Sequence, residues 1–311
     1  MAHSYSVHID RLTHTYRQCC AVDSIDMEIR GGEVSVLLGR NGAGKTTLIR
    51  LLCRLLRVQR GDIRYHHDGV SLRGEREIVA TIGYSPQRPT VWPDLTCYEH
   101  LQILCSLYGV ERNYVIPRLL DLFDLTEKKR TLAAELSGGM LQKLNCAMAL
   151  VHDPPFLVFD ESESGLDIDS RLRFRELLRD LATTEGKAIL YATHDIAEAQ
   201  NVADRVGILH GGQLLLNETM DELRKSLGKH ATATFVMPDG YRMTDRERDA
   251  LSRSTDTFSV DQTTVTATID SDRNTIARVM GLFQVEPLTV SILPRSLEDL
   301  FIEVTTRGGG I

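Results

Sequence analysis

The 311-residue sequence predicts an α/β protein with a mixed sheet core, a helical subdomain and a small α+β domain at its C-terminal end. Three observations carry that prediction. Short apolar runs alternate with amphipathic segments up to about residue 225, the pattern of strands joined by helical crossovers. A glycine-rich loop at residues 39–47 stands between one such run and a helical pattern. Beyond Gly228 the texture changes to alternation of period two interleaved with short helical stretches.

Taken in chain order, "VSVLLG" (34–39) reads as a buried strand, the loop "GRNGAGKTT" (39–47) follows, and "LIRLLCRLL" reads as a helix. Residues 96–150 read as mostly helical, interrupted at Pro117 and at Gly138-Gly139. "FLVFD" (156–160) and "AILYAT" (188–193) are further buried strands. In the C-terminal part "ATATFV", "TVTATID" and "LTVSIL" read as strands, and "DRERDALSR", "RNTIARVMGLF" and "SLEDLFIEV" as helices. The expected division is a first domain over 1–227, a second over 229–305 with a ferredoxin-like order, and a disordered tail over 306–311.

Composition narrows the class. A hydrophobic content of 42% with 25% charged residues is ordinary for a globular chain with a substantial core. The formal net charge of -7 gives no electrostatic reason to expect nucleic acid. The opening "MAHSYSVHID" lacks a basic-then-apolar leader pattern, and no apolar run approaches the roughly 18 residues that span a bilayer. The expectation is a cytosolic chain, or one bound to a membrane only through a partner. The six cysteines (Cys19, Cys20, Cys53, Cys97, Cys105, Cys146) form no CxxC pair and read as reduced core thiols.

The loop carries the most specific chemistry. Its spacing fits G-x-x-x-x-G-K-[ST] in the required strand-to-helix context. Gly39, Asn41, Gly42, Ala43 and Gly44 would close backbone N–H groups around phosphate oxygens at a helix N-terminus, where the helix dipole also favours negative charge. Lys45 would reach the β- and γ-phosphates, Thr46 would ligate Mg²⁺, and Thr47 completes the loop. Such a loop needs a strand ending in an acid, and "FLVFD" supplies Asp160 for the metal. Glu161 comes next, so its side chain should point differently and can polarise the water that attacks the γ-phosphate. A glycosidase acid pair is the competing reading of "DE"; neighbouring strand residues facing opposite sides count against it.

The second motif is "LSGGM" (136–140). With it the chain resembles the nucleotide-binding subunits of ABC transporters, over roughly residues 5 to 225. The resemblance implies that Tyr16 stacks on adenine, that Gln87 in "IGYSPQ" is the Q-loop glutamine at the metal and the attacking water, that Asp167 in "SGLD" belongs to the D-loop, and that His194 in "YATHD" is the switch histidine. It implies a P-loop ATPase of ABC type acting on ATP with Mg²⁺. It further implies a composite site, in which the phosphate loop of one cassette is closed by Ser137, Gly138 and Gly139 of a second, in a homodimer or heterodimer. The remaining implied partner is an integral membrane permease, with the chain peripheral at the cytoplasmic face. Met140, "WPDLTCYEHLQILCSLYGV" and "LPRSLEDLFIEVT" resemble the ABC-2 exporter branch related to subfamily A lipid transporters and bacterial drug exporters.

One departure stands out. The family usually has Pro-Thr after the acid pair, whereas this chain has Ser162-Glu163, which adds negative charge near a triphosphate unless Glu163 points away. Three readings therefore compete: an ATPase driving a separate permease, a soluble non-transport ABC ATPase, and a low-turnover regulatory cassette. The first is favoured, because neither a second cassette, a long coiled coil nor a basic stripe is present.

Overall fold

The computed structural model describes residues 4–255, 257–270 and 273–308. The chain divides between Glu218 and Thr219 into two compact units.

The first unit runs β1 (Tyr5–Tyr16), β2 (Cys19–Arg30), β3 (Val34–Leu38), α1 (Lys45–Leu52), β4 (Arg60–His67), β5 (Val70–Leu72), α2 (Glu75–Ala80) and β6 (Ile82–Ser85). It continues with α3 (Cys97–Tyr108), α4 (Arg112–Leu122), α5 (Gly138–Ala149), β7 (Phe156–Asp160), α6 (Ile168–Thr183), β8 (Ala188–Thr193), α7 (Ile196–Val202), β9 (Arg205–His210) and β10 (Gln213–Thr219). A four-stranded antiparallel sheet has the order β2-β1-β4-β5, and a six-stranded sheet has the order β10-β9-β3-β8-β7-β6. Within the larger sheet, β9, β3, β8, β7 and β6 pair in parallel.

The two sheets differ as their sequences require. β3, β7 and β8 are buried along their whole length, so their uninterrupted apolar runs have core on both faces. β1 and β2 alternate buried and more exposed positions, with one face on the core. A single hydrophobic cluster joins the sheets through α1: Ile9 and Ile29 meet Leu48 and Leu52, and Val158 and Leu190 close it from the parallel sheet.

The helical region 97–149 lies between β6 and β7. Pro117 does not interrupt it as expected, but sits inside α4. The ring removes one backbone donor, and Ile116, Leu119 and Leu120 on the buried face hold the turn together regardless. Gly138 is an interruption in the sense that it starts α5, after the extended Leu136 and Ser137. The cysteines are all free; four are buried, but Cys19 and Cys20 are exposed at the start of β2, contrary to the core expectation.

The second unit contains α8 (Met220–Leu227), β11 (His230–Val236), α9 (Asp245–Ser254), β12 (Thr257–Asp261), β13 (Thr264–Asp270), α10 (Arg273–Met280), β14 (Thr289–Pro294) and α11 (Leu297–Gly308). From β11 to β14 this is a βαββαβ order, and the antiparallel sheet order β12-β13-β11-β14 is that of a ferredoxin-like fold. Alternate residues Ala231, Ala233 and Phe235 of β11 and Val265, Ala267 and Ile269 of β13 form its core with Leu251 and Val279. β12 was not legible beforehand: "TFSVD" is a short edge strand with no fully buried position. The last helix extends to Gly308, so residues 306–308 of the expected disordered tail are helical, and 309–311 lie outside the described residues. Among the described residues no helix is long and apolar enough to cross a membrane.

Helix and sheet pack without room for a side chain at Gly83 of β6, where a Cβ would lie 2.2 Å from the Ala149 carbonyl oxygen at the end of α5 and 2.7 Å from Pro154. Gly83→Ala is expected to destabilise the protein by about 1–3 kcal/mol through forced separation of β6 and α5. Urea unfolding at equilibrium measures this; a midpoint equal to wild type would show that the helix yields without cost.

Candidate functional site

The parallel register places four chain segments side by side. Leu38 at the end of β3 pairs with Thr193 of β8, and Ala192 pairs with Asp160 of β7, whose other neighbour is β6. The loops leaving the carboxyl ends of these strands therefore share one edge of the sheet, where α/β sheets form their binding crevices. They carry the glycine loop, the acid pair, His194 and Gln87.

Loop 39–44 turns directly into α1, whose first residue is Lys45. The cap position is Gly44, with φ of 109° and no side-chain cap, so the backbone N–H groups of the first turn are available to an anion. A Cβ at Gly44 would lie 2.2 Å from the Ala21 carbonyl oxygen, which excludes any side chain there. Lys45 is 5% exposed; its Nζ donates to the Gly39 carbonyl at 2.6 Å and lies 3.1 Å from Glu161 Oε1.

Thr46 Oγ1 donates to Asp160 Oδ2 at 3.0 Å. Asp160 is 1% exposed, and its Oδ1 is buried without a hydrogen-bond partner. Burial pushes its carboxyl above the usual carboxylate range; the Thr46 hydroxyl opposes this and the neighbouring Glu161 charge adds to it. An unsatisfied buried oxygen beside a hydroxyl is a pair of hard oxygen donors, which suits Mg²⁺.

Glu161 leaves the strand with φ of 49°, an uncommon conformation for a non-glycine residue, while its N–H donates to the Ala192 carbonyl at 2.9 Å. Its carboxylate is reached from three sides: by Lys45, by Gln87 Nε2 donating to Oε2 at 2.8 Å, and by His194 Nδ1 at 3.3 Å from Oε1. Gln87 thus meets the acid pair at Glu161, through its amide nitrogen. Tyr16, at the end of β1, is 43% exposed and lies edge-on to His14, lining the same pocket as loop residues 40–47, Gln87 and Glu161.

Other expected residues lie elsewhere. Ser137, Gly138, Gly139 and Asp167 do not line this pocket. Ser137 caps α5, accepting from the Met140 N–H at 3.3 Å, and Asp167 caps α6, accepting from the Ser170 N–H at 2.8 Å. That bond holds the exposed Asp167 carboxyl below its usual range. The two segments meet where a Cβ on Gly139 would lie 2.8 Å from the Gly165 carbonyl oxygen.

Two pairs of pocket residues were not read from the sequence. Gly211 and Gly212 line the pocket, and the Gly212 N–H donates to the Ala43 carbonyl at 2.9 Å; the "GG" between two strands was the available signal. Cys19 and Cys20 form part of the pocket wall. Glu163 is 4% exposed and turned away from the phosphate loop, accepting from Thr193 Oγ1 at 2.6 Å.

A phosphate loop on a parallel sheet, facing a buried acid pair, defines a P-loop nucleotide hydrolase. The ABC transporter family pattern matches residues 22–164. The chain is 33% identical over 219 residues to the bacitracin transport ATP-binding protein BcrA of Bacillus licheniformis, covering 70% of this chain and 71% of that one. It is 31% identical over 306 residues to the Nod factor export ATP-binding protein I of Paraburkholderia xenovorans, covering 97% of each. Among solved structures, the ATP-binding subunit of an ABC transporter superposes with a TM-score of 0.64 at 29% identity, covering 71% of this chain and 93% of that one. The chain belongs to the ABC transporter family, as an ATP-binding and ATP-hydrolysing transporter subunit.

Burial also pushes the Glu163 carboxyl above the usual range, with the Thr193 and Tyr191 hydroxyls acting in the opposite sense and Glu198 adding to the rise. A carboxyl raised in the folded state contributes stability that is fully present below its unfolded value, about 4.5, and lost as pH rises through the folded value. Glu163→Gln removes this contribution. Raising the pH from about 5 to about 8 should lower the melting temperature of the wild type more than that of the variant. Parallel curves would show that Glu163 carries no burial penalty.

Proposed function

We propose that this chain powers export through a separate membrane permease, by hydrolysing ATP at a composite site shared with a second cassette. The observation that carries the reading is the convergence of Lys45, Gln87 and His194 on Glu161 within 3.3 Å. In this reading Tyr16 stacks on adenine, and the backbone N–H groups from Gly39 to Gly44, with Thr47, cradle the phosphates. Lys45 moves from Glu161 to the β- and γ-phosphates, Thr46 and the free oxygen of Asp160 hold Mg²⁺, and Gln87 orients the attacking water. Mg²⁺, when bound there, would supply charge neutralisation to the triphosphate. Glu161 accepts a hydrogen bond from the water, which attacks the γ-phosphorus as the bond to the β-phosphate oxygen breaks, yielding ADP and phosphate. His194 contacts the γ-phosphate from the opposite side.

Ser137, Gly138, Gly139 and Asp167 belong to the second half of the site. Their position outside the phosphate-loop pocket supports completion by another cassette, whose Ser137 hydroxyl and α5 N-terminus would meet the γ-phosphate. A groove lined by Leu55, Val79, Tyr84, Trp92, Leu104 and Tyr108 runs beside Pro86 and offers an apolar seat for a helix of the permease. The chain would then work at the cytoplasmic face without a span of its own. Export is supported by the likeness to the Nod factor export ATP-binding protein of Paraburkholderia xenovorans, which matches this chain along nearly its full length.

Phosphate release with Mg²⁺-ATP should rise faster than linearly with protein concentration, as expected for sites completed by a second copy. Glu161→Gln should reduce the rate about 100-fold or more while ATP still binds, and Lys45→Ala should weaken ATP binding itself. Activity strictly proportional to concentration, or retained in Glu161→Gln, would overturn the composite site or the role of Glu161, respectively.

A further inference from the structure

Glu163 presents a physical problem. It is a carboxyl 4% exposed whose Oε2 receives no hydrogen bond of good geometry, the nearby Tyr191 hydroxyl included, an arrangement that costs stability and calls for an explanation. Its other oxygen makes a specific connection. Thr193 Oγ1 donates to Glu163 Oε1 at 2.6 Å, and the same hydroxyl oxygen accepts from the Asp195 N–H at 2.9 Å.

His194 lies between those two residues. With its proton committed to Glu163, the Thr193 hydroxyl has its lone pairs free for Asp195, and the bond it accepts closes the backbone around His194. The far side of the turn is also held: Asp195 caps α7, accepting from the Glu198 N–H at 3.1 Å, and Glu198 is gripped by Arg175 through two bonds of 2.6 Å. On the near side, segment 161–166 is tightly turned by the Ser164 N–H on the Glu161 carbonyl and the Leu166 N–H on the Glu163 carbonyl. The segment therefore holds the His194 loop at two points, with Glu161 facing the imidazole and Glu163 holding the hydroxyl beside it.

We propose that Glu163 is a positioning residue for ATP hydrolysis, acting through Thr193 to fix the backbone that presents His194 to Glu161 and to the γ-phosphate. It touches neither nucleotide nor water. The Ser162-Glu163 sequence then marks a firmer coupling between the acid-pair turn and the His194 loop, not a repulsive charge in the pocket. The inference rests on the reading of His194 as a γ-phosphate contact.

The test is steady-state hydrolysis by the full chain carrying Glu163→Ala, Glu163→Gln, Thr193→Val or His194→Ala, with the Glu163→Ala/His194→Ala double variant. Glu163→Ala and Thr193→Val should each lower kcat about tenfold with KM for ATP changed less than about twofold, the loss expected for a misplaced group. Glu163→Gln keeps an oxygen acceptor for Thr193 and should restore kcat to within about threefold of wild type. Adding Glu163→Ala to His194→Ala should cost nothing further, because the two act in series. In nucleotide-free protein, the imidazole proton signal that His194→Ala removes should shift in Glu163→Ala but not in Glu163→Gln.

An unchanged kcat in Glu163→Ala while His194→Ala is impaired would overturn the inference alone. So would additive losses in the double variant, or a parallel loss of ATP affinity. A wild-type rate in His194→Ala beside an inactive Glu161→Gln would overturn the reading of His194 and the inference with it. Thr193→Val carries the same test should Glu163→Ala fail to fold.

Discussion

The nucleotide end of this protein depends on one buried pair, the ammonium of Lys45 and the carboxylate of Glu161, 3.1 Å apart. Neither charge could be taken out of water alone at tolerable cost, and even together their attraction does little more than offset the lost hydration. The pair contributes specificity instead. Lys45 must also satisfy the Gly39 carbonyl, and Glu161 must also receive Gln87 and face His194, so segments distant in sequence are held to one geometry. A triphosphate would compete with Glu161 for Lys45. The contact that orders the loop is thus one that phosphate binding would exchange, leaving the Glu161 carboxylate to Gln87 and His194.

The sheet makes that pair possible. Parallel pairing of β3, β8 and β7 aligns their carboxyl ends, and full burial of these strands leaves their registers little freedom to slip. The left-handed backbone at Glu161 then does what alternation along a strand cannot. Consecutive strand residues point to opposite faces, yet Asp160 and Glu161 both reach the phosphate loop, one at Thr46 and the other at Lys45. Strain of this kind persists where the surroundings over-determine it, and here the Ala192 carbonyl and three side chains do so.

The same turn gives the departure at residues 162 and 163 its meaning. Ser162 is fully buried, donating to Ser85 Oγ at 3.2 Å, and Asn145 of α5 donates to that same oxygen at 2.9 Å. The turn is thereby tied to the end of β6 and to α5, the helix that Ser137 caps. Glu163 is tied in the other direction, to the end of β8. The ends of β6 and β8 and the turn leading into α6 are joined by short polar contacts in a low-dielectric interior, where each bond is stronger and each missing partner more costly.

Much of this was legible in the sequence. Unbroken apolar runs mark strands buried on both faces, and the G-x-x-x-x-G-K-T spacing marks the loop because no other common structure needs that order of glycines and lysine. The alternation of the C-terminal segments likewise exposed three of the four strands of the second unit. Pattern could not place Pro117 inside a helix or assign α8 to the second unit, since packing decides both. Nor could it find the short edge strand β12 or the pocket wall made by Gly211, Gly212, Cys19 and Cys20. The sequence by itself marked the phosphate loop and the acid pair as the candidate chemistry, because phosphate and metal binding demand particular groups at particular local spacings. Only the tertiary structure decided where Gln87 and Glu163 point, because a buried side chain takes the direction in which its polar atoms find partners, and those partners come from strands far away in the chain.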